Sequence, residues 1–241
     1  MTTYKKLIGL ALIFFLLTLT GCQYIRLLQF KNQFQRFERY FRFNGPASSP
    51  SIHCQRPLLL PEDILMLSQQ TLPSEKKLLK KGQLWTYSMR KLYPPNAARE
   101  AGKDIQIQIY FNENNEVARV YYPVQLSRLF NPVAVAKALQ SFGEGKVFDD
   151  GSVKADSNKL ATDNVPTKDK VLANFGIPFE TFVSGNVSVV KYRYELMPQS
   201  DKPDKPAVIT WVTIHLDSQT GLLVYFAGNI FGPAMEFNLT H

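Results

Sequence analysis

With 241 residues, 45% of them hydrophobic, the chain is long and apolar enough to bury a core, which excludes a disordered polymer. Its formal charge of +8 is concentrated near the N-terminus, where Lys5 and Lys6 are followed by Arg26, Lys31, Arg36, Arg39 and Arg42 against Glu38 alone. Such confinement argues for a membrane surface and against nucleic acid, whose binders spread Lys and Arg along a domain face.

The opening stretch MTTYKKLIGLALIFFLLTLTGC has a basic start, an apolar run from Leu7 to Leu19 that is short for a bilayer span, and small residues at its end. It reads as a secretory signal over residues 1–21. Leu19-Thr20-Gly21-Cys22 resembles a bacterial lipobox, which implies that Cys22 is acylated through its sulfur and becomes the first mature residue. Each buried acyl methylene contributes about 0.8 kcal/mol, so two or three chains would anchor the protein without a spanning segment. Gln23 stands where inner-membrane lipoproteins commonly carry Asp, so the resemblance implies an outer-membrane lipoprotein, on the periplasmic side. The plainer alternative is an ordinary signal or uncleaved anchor with an incidental cysteine.

Residues 22–57 form an anchor segment with a basic aromatic stretch, FKNQFQRFERYFRF. Phe30, Phe34, Phe37 and Phe41 recur at helical spacing on one face. Two readings stay open: a helix lying in the membrane interface with Arg36, Arg39 and Arg42 on anionic head groups, or the first helix of the following unit, packed on its sheet. Cys54 is the one thiol left if Cys22 is capped, and it lies beside His53 on an extended segment where neighbours point apart.

From residue 58 the sequence repeats itself. An offset of 105 residues aligns the second half on the first without a gap over about sixty positions: Pro61 meets Pro166, Pro73 meets Pro178, Tyr87 meets Tyr192 and Ile109 meets Ile214. PEDILMLSQQTLP and PTKDKVLANFGIP each predict a short amphipathic helix ended by proline. Three strands follow in each copy: QLWTYSMRKLY, DIQIQIYFN and EVARVYYP, then VSVVKYRYELM, VITWVTIHLD and LLVYFAG. Alternation puts Trp85, Tyr87, Met89, Val190, Tyr192 and Tyr194 on the core face. Between the copies, Asn131 and Pro132 predict a helix start, and the polar stretch after Phe142 reads as a flexible loop.

On these motifs each copy resembles the SmpA/OmlA (BamE-like) family, with the Gly176-Ile177-Pro178 helix exit and Tyr192-x-Tyr194 in the second copy. The first copy departs from the pattern, having Thr71 in place of the glycine. Two such units in tandem also resemble beta-lactamase inhibitory protein in architecture. The resemblance implies an α+β fold of two units, each with short helices on one face of its own three- or four-stranded antiparallel meander. The organisation expected is therefore unit one at 58–123, a helix and linker at 124–165, unit two at 166–230 and a tail at 231–241.

No catalytic constellation emerges. His53, His215 and His241 are scattered, and Asp149-Asp150 falls in the linker, where solvent would leave the pair unshifted. The expectation is a non-enzyme without cofactor, metal, nucleic acid or small-molecule substrate, held to the membrane through Cys22 and acting as a scaffold for an envelope protein. The alternative is a carrier of lipid or another hydrophobic ligand. The face left over in unit two predicts the binding surface: Lys191, Arg193, Trp211 and His215, with Leu222, Val224 and Phe226 from its third strand. Burial of this face against the other unit or the C-terminal segment competes with that reading, and a one-residue register change would turn the third-strand residues inward.

Overall fold

The computed structural model describes residues 23–46, 48–147, 153–154, 165–197, 208–228 and 235–239. Residues 23–35 are helical (α1), a turn at Arg36 leads into α2 (Phe37–Tyr40), and the chain then extends as β1 (Phe41–Asn44). Gly45, at φ +88°, turns it back into β2 (Ser51–Cys54). The phenyl stripe thus runs off the end of a helix into a strand, with Phe37 and Phe41 buried and Phe30 and Phe34 packed against the same core.

Next come α3 (Pro61–Leu67), a short edge strand β3 (Glu75–Leu78), and the meander β4 (Gln83–Leu92), β5 (Ile105–Phe111) and β6 (Val117–Tyr121). Helices α4 (Val124–Leu129) and α5 (Pro132–Glu144) follow, the latter capped by Asn131, whose Oδ1 accepts from the Ala134 N–H at 2.8 Å. Two short strands, β7 (Lys146–Val147) and β8 (Val153–Lys154), lie within the stretch expected to be a flexible loop. Then α6 (Lys168–Phe175), edge strand β9 (Glu180–Ser184), β10 (Val187–Leu196), β11 (Ile209–Asp217) and β12 (Leu223–Gly228) restate the first order, and β13 (Met235–Asn238) ends the described chain.

The expectation of two units with separate three- or four-stranded sheets is corrected here. Among the described residues, thirteen strands form one sheet in the order β1-β2-β6-β5-β4-β10-β11-β12-β13-β8-β7, with β3 beside β4 and β9 beside β10. The reason is that a meander leaves the backbone of its first strand unpaired on one side, and unpaired N–H and C=O groups are costly. Here β4 and β10 satisfy each other, pairing Met89 with Leu196, Arg90 with Glu195, Lys91 with Tyr194 and Leu92 with Arg193.

One face of this sheet is covered by helices. Trp85, Tyr87, Met89, Ile107, Ile109, Val190, Tyr192, Tyr194, Val212 and Ile214 are buried there with Ile64 of α3, Leu129 of α4 and Val171 and Phe175 of α6. The core runs across the β4–β10 seam, so residues from both copies share one interior. Helices α1 and α5 approach closely: a Cβ on Gly143 would lie 2.5 Å from the Gln35 backbone nitrogen.

Candidate protein-binding face

The opposite face is built by the odd-numbered residues of β10 and β11, because successive strand side chains point to opposite sides. Arg193 pairs with Trp211, Lys191 with Thr213 and Val189 with His215. The Arg193 guanidinium lies 5.3 Å from the ring centre of Phe179 and 5.4 Å from that of Trp211, and the two rings meet edge to face at 5.8 Å. Phe179 is fixed by its N–H, which donates to the Lys191 carbonyl at 2.8 Å. Among the described residues the Nε of Arg193 finds no acceptor.

Lys191 sits 4.9 Å above the Phe182 ring, with its Nζ 3.3 Å from the Glu180 carboxylate. His215 meets Tyr225 with the two rings tilted and their centres 4.5 Å apart; burial, then the nearby Lys191 charge, hold its imidazole below the ordinary 6.5 and therefore neutral at pH 7. Across the seam Arg90 pairs with Glu195, and Gln106, Gln108, Tyr110 and Arg119 continue the face with polar character. Trp211, Lys191, Arg193 and His215 are all half-buried.

Phe226, expected on this face, is instead 4% exposed and meets Phe130 edge to face at 5.9 Å. The cause is local: six residues separate the paired Leu216 and Leu223, against five between Phe111 and Val117, so Val117 corresponds to Leu223 and the offset grows from 105 to 106. Register also shifts between His215 and Leu216, which makes Val224 the extra residue of a bulge, half-buried, with its carbonyl accepting from Leu239. Tyr225 takes the outward place intended for its neighbours. Leu222 also leaves the face, bridging to Thr167 at the start of α6.

The remaining candidates divide clearly. Arg36, Arg39 and Arg42 are exposed, with Arg39 over the Tyr40 ring at 5.5 Å. Cys22, Asp149, Asp150 and His241 lie outside the described residues. Cys54 is buried, and burial pushes its thiol up to about 12, so little thiolate forms at pH 7. Among the described residues no group of His, Cys, Asp or Glu is placed to hold a metal, and no helix is long and apolar enough to cross a membrane.

Sequence reading missed Lys91. Its side chain is wholly buried, stacked 4.5 Å from Tyr93 and 5.3 Å from Tyr192, and it donates to Glu100 at 3.3 Å and to the Phe175 carbonyl. Burial lowers its pKa more than the Glu100 charge raises it. Glu100 in turn is lowered, first by the Ile177 N–H at 2.8 Å and then by Lys91. The cluster ties β4 to the exit of α6. A usable signal existed, since a lysine follows Trp85, Tyr87 and Met89 at an inward position.

No family model, curated protein or solved structure matches this chain. Its chemistry is therefore read from the face itself, which offers flat aromatic surfaces interleaved with cations. Such groups bind a partner's carbonyls, carboxylates and rings.

Proposed function

We propose that the chain is a non-catalytic envelope lipoprotein, anchored through Cys22 at the outer membrane on the periplasmic side, in the manner of a BamE-like scaffold. Its β10–β11 face binds another envelope protein. The observation that carries this reading is Arg193 held between Phe179 and Trp211, because Arg and Trp at a half-buried, pre-ordered position are the residues that anchor protein interfaces. The helix-covered face, by contrast, is filled by the chain's own side chains.

Two experiments test the two parts. Labelled palmitate should enter the wild-type chain and not Cys22→Ser; equal incorporation sinks the anchor. In detergent extracts of the host envelope, wild-type chain should capture a partner that Trp211→Ala and Arg193→Ala, both still folded, fail to hold. Undiminished capture by both variants sinks the binding face.

A further inference from the structure

We propose that the N-terminal end of α1 is a membrane-docking patch that lays Tyr24, Ile25 and Leu28 against the lipid surface. This rests on the membrane attachment proposed above. Tyr24 is 63% exposed, Ile25 53% and Leu28 42%, although all are large and apolar. A helix on a protein surface ordinarily has one apolar stripe, turned inward. Helix α1 already has that stripe in Leu27, Phe30 and Phe34, which pack on the core. Tyr24, Ile25 and Leu28 make a second one, at spacings of three and four residues, that the fold does not cover.

The patch is held rigidly. Arg26 grips Asp63 with two hydrogen bonds, at 2.9 and 3.0 Å, and the Gln23 amide donates to the Glu62 carbonyl at 3.3 Å. Asp63 also caps α3 by accepting from the Leu60 N–H at 2.9 Å.

Position in the chain identifies the occupant. The apolar run Leu7–Leu19 and the acylation site Cys22 precede α1, so the hydrocarbon joins the protein two residues before Tyr24 if it is an acyl chain and five before it if it is a retained anchor. A tether this short brings the end of α1 to the membrane surface. Further along the same segment the exposed Arg36, Arg39 and Arg42 are suited to anionic head groups.

The test places a tryptophan in the patch of the full chain reconstituted in vesicles of phosphatidylethanolamine and phosphatidylglycerol. Tyr24→Trp and Leu28→Trp should lose the emission they add to that of Trp85 and Trp211 when the acyl chains are brominated, while Asn114→Trp, in the exposed β5–β6 turn, should keep its added emission. An acylated, vesicle-bound chain with no quenching at either position overturns the patch and leaves the anchor standing. Quenching in a chain that takes no palmitate upholds the patch and overturns acylation at Cys22. Emission at position 24 that shifts with protein concentration in detergent, without quenching in vesicles, makes the patch an interface between copies and overturns the proposal.

Discussion

Trp211 and Tyr192 pair with neighbouring strands of the same sheet and yet face opposite environments, which sets their different mutational costs. Trp211→Ala removes an edge-to-face ring contact and one wall of the Arg193 slot, together about 1–2 kcal/mol. Tyr192→Ala empties a fully buried site that also donates to the Gly176 carbonyl, and should cost about 3–5 kcal/mol. Chemical denaturation of the two variants should rank them in that order; equal losses would mean that Trp211 acts as core. At the seam, Glu100 is held below its ordinary 4.5 by the Ile177 N–H and by Lys91. Because the unfolded chain takes up that proton more readily, the stability Glu100 contributes is complete above pH 4.5 and is lost as pH falls through the lower folded value. Glu100→Gln should flatten that acid limb of the stability curve, measured by denaturant melts at successive pH values.

Among the elements, the α1–α5 contact gives the sharpest prediction. Gly→Ala inside a helix ordinarily stabilises by about 1 kcal/mol. At Gly143 the sign should reverse, since the new Cβ would meet the Gln35 nitrogen at 2.5 Å and the Lys31 carbonyl oxygen at 2.9 Å, both backbone atoms that cannot rotate away. A higher melting temperature for Gly143→Ala would show that the helices can separate at little cost. The two repeat helices also differ in how they end. Gly176 leaves α6 at φ +71°, whereas α3 ends through Gln69 and Gln70 at φ +51° and +63°. Thr71 had marked the first copy's exit as unlike the second's; the structure puts the left-handed turn one and two residues earlier. The β1–β2 hairpin left a sign in the turn residues from Gly45 to Pro50 between alternating FRF and SIH, but the phenyl stripe reads as continuous helix and hid it.

For the whole molecule, the continuous sheet predicts that the two copies unfold together. Tyr87 and Tyr192 lie in one core joined through the β4–β10 pairs, so calorimetry should give a single transition that Tyr87→Ala and Tyr192→Ala each lower. Two transitions, only one of them moved by each substitution, would instead describe independent units.

The inward faces of β4, β5, β10 and β11 could be read in the sequence because alternation is a property of neighbouring residues along one strand. The helix starts at Asn131 and Thr167 could be read for the same reason, each being a short side chain one residue before a helix. Other features had no such local mark. Joining the β4 and β10 edges uses backbone groups that every residue carries, so no side-chain pattern distinguishes a shared sheet from two separate ones. The extra residue between the paired Leu216 and Leu223 reverses the faces of β12, because strand periodicity is two, and only pairing with β11 shows where that residue is absorbed. Lys91 was decided last of all, since a buried ammonium stands only where Glu100 and the Phe175 carbonyl, distant in sequence, are brought to meet it.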